Sequence, residues 1–229
     1  MNTKREKYKK VTYGDIFYFE LPNKKYVVGR VLFDMEKQCA EKGLAFEDES
    51  YLSAFRDYEC QLIEMYKGIY DNPNDIQIFE PLIPRVIVYG VDTDLNNLPY
   101  GVLTNEKVDY TKVEFPEKVG NTCGFVRLLR GELPLAIEDT YSFDEEFLEG
   151  FRVCFGAEYP AVIPNICLYM QGREDLIVGK FYARNGLNDW DLLYHPELRR
   201  KLYQRIGEDP DKSYYELALS HGYDLGRFY

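Results

Sequence analysis

The stretch that decides the fold is GDIFYFELPNKKYVVGRVLFD, residues 14–34. Side chains suited to opposite faces alternate through residues 15–21 and again through residues 26–33, which is the pattern of two β-strands. The PNKK between them, residues 22–25, has the composition of a tight turn. The sequence therefore predicts an antiparallel hairpin that begins a curled, barrel-like sheet. Gly29, inside the second strand, predicts a close backbone approach or a bulge where the sheet curls.

Further strands are predicted by apolar runs along the rest of the chain. These runs lie at residues 58–70, 85–89, 101–103, 125–129, 152–155, 166–170 and 177–182. A polar stretch before them predicts a loop with one short helix around residues 50–56. The predicted strands therefore all lie before residue 183.

The end of the chain is predicted to be helical. His195-Pro196 places a proline at the first position of a helix, and Gly207 follows its last turn. Leu198, Leu202 and Ile206 share one face of this helix at a spacing of four residues; a second helix is expected from Asp209-Pro210 to His221-Gly222. Strands first and helices last predict an α+β fold.

The length of 229 residues suits one large domain or two small ones. PEKVGNTCG, residues 116–124, has the composition of a connection between two halves. We therefore expect a β-rich region at residues 1–117 and an α+β region at residues 118–229, packed together as one unit.

The net charge of −11 is spread unevenly, because the first ten residues carry five basic side chains and one acidic one. The acidity is therefore concentrated in the rest of the chain. The negative electrostatic potential of such a protein repels nucleic acid and anionic membranes and attracts basic proteins. We expect no nucleic-acid or membrane partner, although the same acidity also serves solubility alone.

The sequence favours a cytoplasmic protein. The basic N-terminus runs into VTYGDIFYF without the apolar segment of a signal peptide, and no apolar run approaches the roughly 18 residues of a membrane helix. Five cysteines are scattered without a C-x-x-C pair: Cys39, Cys60, Cys123, Cys154 and Cys167. They are expected to be buried, reduced thiols, with no disulfide framework, no metal site and no cofactor.

No catalytic motif is evident. The chain lacks G-x-x-x-x-G-K-[ST], G-x-G-x-x-G and H-E-x-x-H, and its two histidines, His195 and His221, lie at predicted helix ends. Each histidine is expected to be a cap or a surface residue. Carboxylates are numerous, so a glycosidase-like acid pair stays open, and Asp-Trp-Asp at residues 189–191 suits a turn as well as a sugar or metal site. No enzymatic activity is expected.

The opening hairpin also resembles the start of a known protein family. GDIF at residues 14–17, LPNKKY at residues 21–26 and VGRVL at residues 28–32 together resemble the start of the immunity protein 26 family of bacterial polymorphic toxin systems. RVIVY at residues 85–89 and LPYGVLTN at residues 98–105 are similar to later family segments. In the second of these, tyrosine and glycine stand where the family carries tryptophan and its neighbour. The resemblance covers roughly residues 12–117.

The resemblance implies a cytoplasmic inhibitor that binds a cognate toxin and neutralises it stoichiometrically, without catalysis of its own. The acidity fits a basic toxin such as a nuclease, since opposite charges accelerate encounter. Two other function classes stay open. One is a non-catalytic binding or regulatory module, antiphage or ligand-sensing; the other is a carboxylate-dependent hydrolase, which requires a deep pocket with two carboxylates of perturbed pKa.

The predicted partner-binding segment is EDTYSFDEEFLE, residues 138–149, which carries six carboxylates and no basic side chain. Ser142 and Glu145 have the spacing of a capping box, so the acids also suit the first turn of a short helix. The functional alternative is an acidic, aromatic ridge that approaches cationic side chains of a toxin. Its candidate residues are Glu138, Asp139, Tyr141, Phe143, Asp144, Glu145, Glu146 and Glu149.

Overall fold

Two antiparallel sheets and three α-helices make up the described chain, which confirms the predicted α+β class. In the computed structural model no closed barrel forms among these residues. The structure describes residues 10–44, 46, 50–55, 59–76, 79–93, 98–122, 125–137, 156–178 and 191–229.

The first sheet has five strands in the order β4-β3-β2-β1-β5. They are β1 (Asp15–Glu20), β2 (Tyr26–Asp34), β3 (Cys60–Tyr66), β4 (Pro81–Tyr89) and β5 (Tyr100–Asn105). The predicted hairpin is confirmed: β1 and β2 are antiparallel neighbours, joined by a turn in which Lys24 has a φ of 61°. β4 begins earlier than predicted because it lies at the edge of the sheet, where prolines cost no interior hydrogen bond.

Gly29 is a close-approach position, as its place in the hairpin predicts. A Cβ atom added there would lie 2.5 Å from the Met65 Sδ, 2.6 Å from the Glu64 carbonyl oxygen and 3.0 Å from the Phe17 ring. Just beyond it, the pairing of β2 with β3 shifts register between Val31 and Phe33. The missing side chain and the bulge together let the sheet bend here.

The second sheet corrects the predicted connection at residues 116–124. Glu117–Thr122 forms strand β6, followed by β7 (Phe125–Arg130) and β8 (Leu133–Ala136), in the order β6-β7-β8. Val119 pairs with Leu128, and both side chains are buried. The polar composition of this stretch reflects a hairpin with charged members rather than an irregular connection.

The first helix, α1 (Ile163–Met170), corrects the strand predicted at residues 166–170. Pro164 lies in its first turn, and Ile163, Ile166 and Cys167 are buried at helical spacing. Residues 177–178 are not in a strand either, while the predicted strand at residues 152–155 lies outside the described residues.

The C-terminal helices are α2 (Pro196–Ile206) and α3 (Tyr214–Ser220). The first matches its prediction, including Gly207 in the left-handed region with a φ of 72°. The second starts four residues after Pro210 because Ser213 and Glu216 form a capping box. Leu52–Phe55 forms a single 3₁₀ turn inside the short helix predicted at residues 50–56.

The hydrophobic core joins the two halves of the sequence. Its largest cluster combines one end of the first sheet, through Phe33, Leu62 and Ile87, with the second sheet and the C-terminal helices. A second cluster packs α1 against the opposite face of the first sheet. Among the described residues, no helix has both the length and the apolar character that crossing a membrane requires.

Candidate functional site

The segment predicted to bind a partner, residues 138–149, lies outside the described residues. This applies to all of its candidate side chains: Glu138, Asp139, Tyr141, Phe143, Asp144, Glu145, Glu146 and Glu149. The interpretation of this segment therefore stays a prediction from the sequence.

The densest group of ionisable side chains in the described chain is centred on Glu117, in β6. This carboxylate is fully buried, and it accepts hydrogen bonds from the Arg199 guanidinium, at 2.5 Å and 2.9 Å, and from the Tyr203 hydroxyl, at 3.0 Å. Arg130 Nε lies 3.3 Å away, and Arg85 Nη1 lies 3.7 Å away. Three guanidinium groups from β4, β7 and α2 thus surround one glutamate. We call this group, with Glu114 and Asp191, the ionic cluster.

Asp191 holds the β4 side of the ionic cluster. Its two oxygens accept hydrogen bonds from Arg85 Nε, at 3.0 Å, and from Arg85 Nη2, at 2.8 Å. The same carboxylate accepts the backbone N–H of Leu193 at 3.0 Å and so caps the 3₁₀ turn Leu192–Tyr194. Asp191, the last residue of the turn predicted at residues 189–191, is therefore a buried carboxylate. Asp189 and Trp190 lie outside the described residues.

Arg130 connects the ionic cluster to the C-terminal helices. Its Nη1 donates to the Tyr203 hydroxyl at 3.0 Å and to the Lys212 carbonyl at 3.2 Å, and its Nη2 donates to the Glu114 carboxylate. Glu114 in turn accepts the backbone N–H of Tyr214 at 2.9 Å. The first residue of α3 is thereby fixed to the loop that precedes β6.

The ionic cluster is balanced in charge. Three arginines face three carboxylates, so the group is neutral as a whole. Burial alone raises the pKa of Glu117, but the Arg199 hydrogen bonds and the charges of Arg85 and Arg130 outweigh burial and lower that pKa below its ordinary value. Because each charged group is held by fixed partners, we assign the cluster a structural role.

A narrow cleft opens beside the ionic cluster. It is lined by Arg85, Val86, Ile87, Pro116, Lys118, Gly156, Glu158 and Asp191, and it has room for about one water molecule. Burial raises the pKa of Glu158 to about 7, against the opposing charge of Lys118. The backbone of Glu158 is fixed to β4, since its N–H donates to Ile87 and its carbonyl accepts from Tyr89.

The cleft tests the arrangement that a carboxylate-dependent hydrolase requires. It brings together two carboxylates, Glu158 and Asp191. Both oxygens of Asp191 are already held by Arg85. A space for one water molecule does not admit a sugar ring, so the described cleft does not meet the requirement of that function class.

The described cysteines are unsuited to nucleophilic chemistry. Cys39, Cys60 and Cys167 are buried free thiols, as predicted; Cys123 and Cys154 lie outside the described residues. Burial raises the pKa of the Cys39 and Cys60 thiols to about 12 and raises that of Cys167 further. The thiolate, which is the reactive form, is therefore scarce at neutral pH.

Both histidines lie at helix ends, as predicted. His195 precedes α2, and its carbonyl accepts the Arg199 N–H at 2.8 Å. His221 follows α3, and its Nε2 lies 2.9 Å from Glu208 on the surface. Within the part of the chain that the structure describes, no three histidine, cysteine or acidic side chains are grouped in a way that holds a metal ion.

Sequence reasoning missed the ionic cluster. Its members lie between residues 85 and 203, on separate strands, helices and loops, and no local pattern connects them. Comparison of the chain with protein-family models, with curated proteins and with solved structures gives no match.

Proposed function

We propose that this protein is a cytoplasmic immunity protein, which binds a cognate bacterial toxin and neutralises it by stoichiometric inhibition. The observation that carries the proposal is the GD…LP…Y..GRV pattern of residues 14–31, which resembles the opening of the immunity protein 26 family. In the fold these residues form β1, the following turn and β2. They specify a scaffold, so the proposal concerns the class of protein rather than a reaction.

Two further observations support a binding role. The net charge of −11 favours encounter with a basic protein such as a nuclease toxin. The ionic cluster, the largest group of buried charges described, is neutral and held by fixed partners, which suits a stabilising role better than proton transfer. The alternatives remain a non-catalytic regulatory module and, with less support from the cleft at Glu158, a hydrolase.

The direct test uses the product of the gene next to the one for this chain, which the proposal requires to be a toxin. Cells that express that toxin should survive when this protein is expressed with it, and titration calorimetry should give a stoichiometry of one to one. Survival without a measurable complex, or protection at far below equimolar amounts, would show that the protein acts catalytically or indirectly.

The acidic segment can be tested for a part in association. Replacing Asp144, Glu145 and Glu146 together with lysine should slow association with the toxin markedly, because long-range attraction sets the encounter rate. Raising the salt concentration should weaken wild-type binding over the same range. A folded triple variant that associates at the wild-type rate in low salt would exclude this segment from the interface.

A matched control separates local from overall charge. Glu59, Glu174 and Asp211 are exposed acids outside this segment of the sequence, and their replacement with lysine changes the net charge by the same amount. If the segment is local to the interface, the control variant should associate faster than the segment variant. Equal slowing in both would assign the effect to net charge alone.

A further inference from the structure

On one half of a face of the first sheet, the described packing comes from the sheet and its own loops, with a buried centre and a partly exposed border. Ile16, Val28 and Tyr66 form a small cluster there, with Tyr18, Tyr70, Ile76 and Leu103 packed against it at partial exposure. All of these residues belong to the first sheet or its loops, and neither α1–α3 nor the second sheet contributes a side chain to this cluster. Its aromatic members and their ring neighbours are Tyr18, Tyr26, Tyr66, Tyr70 and Phe79, which we call the tyrosine face.

The composition of this face is unusual for the solvent side of an antiparallel sheet, which ordinarily carries polar side chains. The Phe79 ring is 46% exposed. Aromatic side chains with a polar tip are enriched at protein interfaces, where they supply both apolar contact and a hydrogen bond. The tyrosine face therefore has the composition of an interaction surface.

The rings of the tyrosine face are held in place before any partner arrives. Tyr18 and Tyr26 meet edge to face with their centroids 5.3 Å apart, and Tyr66 and Phe79 do so at 5.0 Å. The Tyr70 hydroxyl donates to the Lys67 carbonyl at 2.7 Å. Side chains that are already ordered lose little entropy on binding, so such rings make efficient anchors.

Glycine gives one of these rings its position. A Cβ atom added to Gly101 would lie 2.5 Å from the Tyr18 hydroxyl oxygen. The Tyr18 ring therefore lies against the backbone of β5, in space that another side chain would fill. One side of the ring packs on the sheet, and the other side is turned away from it.

Ion pairs border the aromatic centre. Lys24 pairs with Glu20, Lys25 with Asp71, and Lys67 with Glu80, and these side chains are partly or largely exposed. An apolar, aromatic centre inside a polar rim is the usual anatomy of a protein–protein interface. Surface pairs of this kind contribute little to stability, so a partner can exchange them at small cost.

We propose that the tyrosine face holds the partner, and that the partner is a basic protein that lays arginine and lysine side chains across the exposed parts of this face, at Tyr18, Tyr26 and Phe79. A cation is attracted to the face of an aromatic ring. Carboxylates stand beside the rings: Glu64 accepts from the Tyr66 hydroxyl at 2.6 Å, and Glu20 lies 3.5 Å from the Tyr26 hydroxyl. The net charge of −11 opposes pairing with a second copy and favours a cationic partner.

This inference rests on the proposed function only for the identity of the partner, which is then the toxin. It also assigns the association rate and the dissociation rate to two different surfaces. Acids acting at long range set the association rate, whereas desolvated aromatic anchors set the dissociation rate. The acidic segment at residues 138–149 and the tyrosine face should therefore affect different rate constants.

The test uses substitutions that leave the net charge unchanged. Tyr26→Ser and Phe79→Ser together should raise the Kd for the adjacent toxin at least tenfold, mainly through faster dissociation. Tyr159→Ser is the control, because this tyrosine is 53% exposed and its ring packs on Tyr89, at the end of β4 that is opposite to Phe79, and it should change the Kd less than twofold. A double variant with wild-type affinity would overturn the proposal.

A second arm does not depend on the toxin. A hexa-arginine peptide is titrated into the full chain, and ring and backbone chemical shifts are recorded for the wild type and for the double variant. The wild type should show shifts centred on the tyrosine face, and the double variant, with the same charge, should lose them. Shifts of equal size in both proteins would overturn the proposal.

The two arms separate the possible failures. If the wild type does not bind the toxin, the proposed function is wrong, and the peptide titration still decides the role of the tyrosine face. If the toxin binds both proteins equally, the proposed function stands and the tyrosine face is not the interface. Should the double variant melt early, Phe79→Ser alone serves as the test, since Phe79 is the most exposed residue of the face.

Discussion

Replacement of Glu117 with glutamine tests the role assigned to the ionic cluster. Glutamine keeps the shape of the side chain but removes the charge at the centre of three guanidinium groups. Arg199 loses a charged acceptor for two hydrogen bonds, and Arg85 and Arg130 lose a carboxylate within 3.7 Å. The cluster then carries one uncompensated positive charge in a buried site.

The magnitude follows from the burial of the site. Removing one partner from a buried ion pair typically costs about 3–5 kcal/mol, because the remaining charge stays out of water. Glu117 is fully buried, whereas Arg199 is partly exposed and recovers some hydration. We therefore expect a loss of about 3 kcal/mol in the free energy of unfolding.

Urea unfolding followed by circular dichroism measures this loss. Glu197→Gln is the matched control, because Glu197 pairs with Arg200 on the surface of α2, and such exposed pairs contribute little to stability. The two variants should differ clearly in their unfolding midpoints. A Glu117→Gln variant as stable as the control would refute the assignment of the cluster to stability.

The pH dependence gives an independent check on the same residue. The pKa of Glu117 is lowered in the folded protein, so this carboxyl group binds fewer protons in the folded state than in the unfolded state. Its contribution is present above the ordinary value of 4.5 and is lost as the pH falls through the folded pKa. The stability difference between the wild type and Glu117→Gln should accordingly narrow in acid and stay constant at neutral pH.

Three other predictions follow from the described residues. Glu158 has a pKa raised to about 7, so its charged form opposes folding as the pH rises; Glu158→Gln should raise the Tm more in mildly alkaline than in mildly acidic buffer. Gly29→Val should lower the free energy of unfolding by more than about 1 kcal/mol, measured by urea unfolding; a neutral Gly29→Val would contradict the close approach. His195→Ala and His221→Ala should each preserve protection against the toxin in a survival assay; loss of protection by a folded variant would reveal a functional histidine.

The sequence predicted those elements whose partners lie nearby in the chain. The β1–β2 hairpin pairs residues within about twenty positions of each other, so alternation and turn composition suffice. Helix α2 carries its own start and stop signals in Pro196 and Gly207. The close approach at Gly29 was predicted correctly because a glycine inside a strand usually marks a bulge or a tight backbone contact.

The errors have physical causes too. The run ICLYM in α1 suits a strand and a helix equally, and the arrangement is decided by Pro164 in the first turn and by packing against the first sheet. Glu117 and Lys118 gave β6 a polar composition, and the charge of Glu117 is compensated by residues far away in the sequence. Buried ion pairs between residues so far apart cannot be predicted from a local sequence pattern.

The ionic cluster also has a consequence for the order of synthesis. Arg85 leaves the ribosome more than a hundred residues before Asp191, which binds it. Arg199 and Tyr203, which bind Glu117 in the same cluster, follow later still. Phe33 is likewise translated long before Phe228, and the two rings pack edge to face with their centroids 5.3 Å apart. The N-terminal sheet therefore leaves the ribosome before the carboxylate that binds Arg85 and the aromatic ring that packs on Phe33 have been made. It reaches its final packing only after α2 and α3 have been translated, so the two halves of this sequence should fold together rather than one after the other.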